Sequence, residues 1–142
     1  QAISTYQEAI EKYPEKASFY SALASLYQKQ DQTDKAINLY QEALNKNKDN
    51  ANLHLALGEL YRKEEMQDKA IAQYDKFSKL SGDNLMAHYR LYSVYKKMGL
   101  TEKANAEMKK VKEIQKKKQQ QQQSKKQSIE QQPQQNNGQG TN

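Results

Sequence analysis

An all-α solenoid of antiparallel helix pairs is the fold class this sequence predicts, about three and a half units long. The first observation behind it is a repeat: residues 17–50, 51–84 and 85–118 align without a gap at a constant offset of 34. The columns run Leu23, Leu57 and Leu91; Tyr27, Tyr61 and Tyr95; and Ala36, Ala70 and Ala104. Three more hold Tyr20, His54 and His88, then Tyr40, Tyr74 and Met108, then Ala43, Phe77 and Val111. The second is the spacing of apolar residues by three and four within each half-unit, which is the period of one helix face. The third is an apolar content of 35%, too thin for one deep core and suited to a shallow, repeated one.

The elements follow in order. Ala2, Tyr6 and Ala9 stand 34 residues before Ala36, Tyr40 and Ala43, so residues 1–16 read as the second helix of a truncated repeat. That helix presents Ile3, Tyr6, Ala9, Ile10 and Tyr13 with its pairing helix missing. An apolar strip left in this way predicts a fragment of a longer chain. In the repeat 17–50, Tyr20, Leu23, Ala24 and Tyr27 mark one helix and Ala36, Ile37, Tyr40, Ala43 and Leu44 the next; the repeats 51–84 and 85–118 follow the same plan. The polar breaks QDQTD, EEMQD and MGLTE divide each pair, with Thr33, Asp68 and Thr101 as expected N-caps. Between repeats, Asp49 or Asn50 and Asp83 or Asn84 are the expected caps. Connections this short make neighbouring helices antiparallel. Ala24, Gly58, Ala36 and Ala70 remove bulk where the axes must approach within about 8–10 Å.

After Ile114 the only aliphatic or aromatic residue is Ile129. Ordering a residue costs roughly 1–2 kcal/mol, against about 1.5–3 kcal/mol from burying one isoleucine. Residues 119–142 are therefore expected to be a low-complexity, Gln/Lys-rich disordered tail, with the last helix running a turn or several past Lys118. The net charge of +6 is concentrated there: past residue 104, eight lysines stand against three glutamates. The preceding residues come nearly to balance, so only the C-terminal segment is expected to attract anions.

Leu57-Gly58, Tyr61, Ala70 and Tyr74 within a 34-residue helix–turn–helix unit closely resemble the tetratricopeptide repeat family, over about residues 1 to 118. Pro14 stands where that family often ends a unit. The repeat 85–118 departs from the pattern at Tyr92, where the family has a small residue, and reads as an atypical terminal repeat. The resemblance implies a concave groove, lined by the first helix of each pair, that holds a peptide or helix of a partner protein. Carried over, the groove positions are Asn52, Leu55, Glu59, Met86, Tyr89, Arg90, Ser93 and Lys97, with Ser18, Ser21, Ala22, Ser25 and Ala56 beside them. Leu55, Met86 and Tyr89 are apolar residues off the core stripe, which favours a partner there. Some members of the family clamp the acidic C-termini of heat-shock chaperones. Here Ser21, Ser25, Ala56 and Met86 occupy clamp positions and only Arg90 matches, so no such binding is expected.

No enzyme is indicated. Cysteine is absent, which removes thiol nucleophiles and thiolate metal sites. Glycine-rich phosphate loops, nucleophile elbows and segregated carboxylate pairs are also missing, and Glu64 and Glu65 lie in a polar turn. His54 and His88 share a column without the further ligands a zinc site needs, so they read as amphipathic rings in place of an aromatic. No cofactor, metal or small-molecule substrate is implied, and no apolar run is long enough to span a bilayer. The expected function is that of an adaptor binding a protein partner. The alternative is association of the basic C-terminal segment with nucleic acid or an anionic surface. That segment lacks an aromatic to stack on a base and an arginine for bidentate readout. Gln119–Gln123 raises self-association of a glutamine tract, for which the run is short.

Overall fold

The computed structural model describes residues 1–132, and these form helices joined by short turns, with no strand among the described residues. The helices are α1 (Ala2–Lys12), α2 (Ala17–Lys29), α3 (Thr33–Lys46), α4 (Ala51–Lys63), α5 (Gln67–Ser81), α6 (Leu85–Lys97) and α7 (Thr101–Glu130). The chain divides into two compact units, Gln1–Ala87 and His88–Asn142.

In the first unit each helix packs on the next from α1 to α5, and α2 also touches α4. Ala24, Ala36 and Ala70 are fully buried. Gly58 is the closest approach: a Cβ placed on it would meet the ring of fully buried Tyr74 at 2.7 Å. The α4–α5 pair therefore requires glycine there. Ile10 of α1 is buried and Ile3, Tyr6 and Ala9 are half-buried, so α2 already covers much of the strip expected to stand open; Tyr13 is exposed.

In the second unit α6 and α7 run antiparallel. His88 Nδ1 donates to Glu107 Oε2 at 2.7 Å near the start of α6, and Lys103 lies over the Tyr95 ring, 5.7 Å from its centroid, near the end. Where the repeat 51–84 has Gly58 and Tyr74, this one has half-buried Tyr92 and Met108, a large ring and a flexible thioether in exchange for a gap and a ring. α7 continues to Glu130, so residues 119–130, expected to belong to a disordered tail, are helical. Lysine and glutamine lose little rotamer freedom in a helix, so the segment extends α7 without burying apolar surface. The rest of the expected tail, from 133, lies outside the described residues.

The turns inside each helix pair share one geometry that the sequence pattern did not announce. The carbonyls of Tyr27, Tyr61 and Tyr95 accept from the amides of Gln32, Met66 and Leu100 at 2.9, 2.8 and 2.9 Å. The residue before each donor is left-handed: Asp31 at φ 56°, Glu65 at 59° and Gly99 at 73°. This six-to-one closure satisfies orphan carbonyls at the end of the first helix. It also moves the next helix start: Gln32, Met66 and Leu100 are the N-caps and make no side-chain cap bond. The caps expected at Thr33, Asp68 and Thr101 are thus displaced by one or two positions, each residue falling in the first turn. Between repeats the expectation holds, because Asn50 Oδ1 accepts from the Leu53 amide and Asn84 Oδ1 from the Ala87 amide, each at 3.2 Å.

Candidate partner-binding face

The residues carried onto the groove lie on the first helices of the pairs. On α4, Asn52 is exposed and Ala56 half-buried, while Leu55 is buried at 9% exposure. Leu55 belongs to the core and offers little surface to a partner, because α4 is also covered on the side facing α2. Glu59 is committed within the fold: its Oε2 accepts from Arg62 Nη2 at 2.9 Å, one turn along α4. The same pair bears on Tyr74, whose hydroxyl is pushed up to about 12 by burial and then by the Glu59 charge, with Arg62 acting in the opposite direction. On α2, Ser18 and Ser25 are exposed and Ser21 and Ala22 half-buried. Burial pushes the Tyr40 phenol up, and the Ser21 hydroxyl moderates that push.

Met86 at the start of α6 is 75% exposed, an uncommon degree for a large apolar side chain. Further along α6, Arg90, Ser93 and Lys97 are exposed, and Tyr89 is 38% exposed. The Tyr89 hydroxyl accepts from Gln115 Nε2 of α7 at 3.2 Å, so its ring is held from the second helix of its own pair. Gln115 carries no signal in the sequence that would have singled it out, since it stands at the entrance of a uniformly polar run.

The histidine column has a structural task. Tyr20 Oη donates to the Pro14 carbonyl at 3.0 Å, and at the same place in the next repeat His54 Nε2 meets the Lys48 carbonyl at 2.9 Å. A carbonyl only accepts, so Nε2 carries the hydrogen. His54 Nδ1 lies 2.8 Å from the Gln73 side-chain amide, and the same offset places Glu107 against His88. The His54 ring thus ties an inter-repeat turn to α5, as an amphipathic replacement for Tyr20, and the His88 ring binds α6 to α7. Among the described residues no group of three His, Asp or Glu side chains is placed to hold a metal ion, and no helix is long and apolar enough to cross a membrane.

Comparison with known proteins agrees with this geometry. Residues 5–38 and 51–84 match families described as "Tetratricopeptide repeat", and residues 29–64 match one described as "TPR repeat". No curated protein sequence matches the chain. Among solved structures, "Crystal structure of MamA" is similar at 26% identity and a TM-score of 0.62, over 83% of this chain and 69% of that one. "Crystal structure of MamA protein" is similar at 26% identity and a TM-score of 0.63, over 83% of this chain and 64% of that one. "MamA 41-end from Desulfovibrio magneticus RS-1", at 16% identity and a TM-score of 0.61 over 81% and 65% of the two chains, shares the fold. The chain spans about two thirds of the length of these MamA structures.

Proposed function

The chain belongs to the tetratricopeptide repeat family, and from that premise we propose that it is a non-enzymatic scaffold holding a peptide or helix of a partner protein on the first-helix face. In the first unit the contact residues are Asn52 and Met86, with Leu55 acting through packing and Glu59 through Arg62; in the second they are Tyr89, Arg90, Ser93 and Lys97. The observation that carries this reading is the exposure of Met86 beside a polar α6 surface. A flexible thioether left in water is a common device of surfaces that adapt to a partner. Arg90 adds a planar donor suited to a carboxylate or a carbonyl of the bound segment.

A second reading has its own observation. Every residue of α7 from Gln115 to Glu130 is exposed, and Lys116, Lys117, Lys118, Lys125 and Lys126 lie in that stretch. A helix bare on all sides and rich in lysine attracts nucleic acid or an anionic surface through phosphate charge, without reading sequence.

One experiment separates the two. Proteins retained from source-cell lysate are quantified for the full chain, for Tyr89→Ala with Arg90→Glu, and for a variant with those five lysines replaced by glutamine, each with and without nuclease. Loss of the retained proteins in the first variant alone, insensitive to nuclease, supports the first-helix face. Loss in the lysine variant or on nuclease treatment means that the repeats merely carry an electrostatic helix.

A further inference from the structure

A groove of about 500 Å³ opens between α3 and α5, on the opposite side of α4 from Asn52, Ala56 and Glu59. Its floor is made by His54, Leu57 and Tyr61 of α4. The same floor occurs one repeat earlier, where Leu23 and Tyr27 underlie a groove between α1 and α3. The two are built alike down to a hydrogen bond, Gln7 Nε2 to Tyr27 Oη at 3.4 Å in one and Gln41 Nε2 to Tyr61 Oη at 2.9 Å in the other. The cavity is thus a product of the repeat, and its rim is what differs.

The earlier groove is bordered by Glu11, Glu42 and Lys35. The later one is bordered by Lys48, Lys76 and Lys79 with Asp49 as its one acid. All three lysines are exposed, and among the described residues none of the three forms an ion pair. At its end stands Leu80, a leucine 39% exposed that the core does not use. An apolar floor and end, amides at Gln41 and Asn45, and an uncompensated cationic rim form one coherent recognition surface.

We propose that this outer groove is a second binding site, for an acidic peptide segment of a partner that also carries aliphatic side chains. An aliphatic side chain rests on Leu44, Leu57 and Leu80, while carboxylates of the segment meet Lys76 and Lys79. The Gln41 and Asn45 amides are placed to pair with the backbone of an extended chain. Charge decides the occupant: the +2 rim here and the earlier rim, where Glu11 stands beside Lys35 and Glu42 is already paired with Lys46 at 2.9 Å, have the same floor, so acidic segments are sorted to the α3–α5 groove. Because this face and the first-helix face lie on opposite sides of α4, the chain can hold two segments at once.

The test is an amide chemical-shift titration of the full chain with a short peptide alternating leucine and glutamate, and with its leucine–glutamine counterpart. The acidic peptide is expected to shift amides of α3 and α5 around Gln41, Lys76, Lys79 and Leu80, with binding weakened about tenfold by added salt or by Lys76→Glu with Lys79→Glu. These lysines are exposed, so the variant keeps the fold; Leu80→Ser is a second, uncharged probe of the same site. Tyr89→Ala is expected to leave the titration unchanged. The proposal is overturned if neither peptide shifts these amides, if both shift them alike, if the shifts map to α6, or if the rim variants bind as the parent does.

Discussion

The ring of Tyr74 occupies the space that a side chain on residue 58 would need: a Cβ added to Gly58 would stand 2.7 Å from Tyr74 Cε1 and 2.9 Å from Cδ1. Tyr74 has no exposed surface into which to retreat. Gly58→Ala therefore sets two effects against each other. Alanine gains up to about 1 kcal/mol of helix propensity, while overpacking costs about 1–3 kcal/mol. The clash wins, and the variant should lose about 1–2 kcal/mol in urea unfolding. An unchanged or raised midpoint would mean that α4 and α5 separate more easily than their packing implies.

Tyr74 also gives the protein an alkaline limit. In the fold this phenol keeps its proton to about 12, whereas an unfolded chain releases it near 10. Between those values the folded state binds more protons, so stability falls as pH rises. This contribution is complete below about pH 10 and is lost through about pH 12. Tyr74→Phe abolishes it. The stability of the variant relative to the parent should rise by about 1.4 kcal/mol between about pH 9 and about pH 11, measured by denaturant unfolding at each pH. Burial pushes Tyr20 and Tyr40 in the same direction, so Tyr40→Phe should show a weaker form of the same trend.

The three left-handed turn residues predict a ranked series. Glu65 at φ 59° bears a steric cost of about 1 kcal/mol that glycine would not, partly returned through the greater freedom of an unfolded glycine. Glu65→Gly should stabilise the chain by somewhat under about 1 kcal/mol. Asp31→Gly should gain less, because aspartate tolerates this region better, and Gly99→Ala should lose about 1 kcal/mol. A thermal-melt series that departs from this order would place the cost elsewhere in the turns.

Those turns mark where the sequence stopped being legible. Columns such as Leu23, Leu57 and Leu91 expose the repeat because burial constrains a residue type at a fixed interval. The left-handed position holds Asp31, Glu65 and Gly99, three unlike residues, since the turn needs a backbone conformation and no particular side chain. Asn50 and Asn84 were readable as caps because capping does require a side-chain oxygen. On the candidate face, Met86 and Tyr89 are exposed as their position off the core stripe predicts, whereas Leu55 is buried: a helix flanked on two sides has a wider covered arc than one stripe suggests. Composition places residues 119–130 in the tail because it measures the core a segment lacks, and a helix extending from one already formed needs none.

Glu107 is the acid that the repeat can do without. It sits where Gln73 stands one repeat earlier, and each faces the histidine of its own repeat, at 2.7 Å for His88 and 2.8 Å for His54. The fold thus accepts either an amide or a carboxylate against the ring. Glu107→Gln keeps an acceptor for the His88 Nδ1 hydrogen and gives up the carboxylate's contact with Lys110, 3.1 Å away and half-exposed, where an ion pair contributes little. It should cost less than about 1 kcal/mol. Glu107→Ala removes the acceptor and leaves a buried ring N–H without it, at a cost of about 3 kcal/mol. Hydrogen exchange of α6 and α7 amides reads the difference where it arises: protection should fall sharply in the alanine variant and hold in the glutamine one. Equal loss in both would show that the carboxylate charge, rather than the hydrogen bond the column repeats, secures α6 to α7.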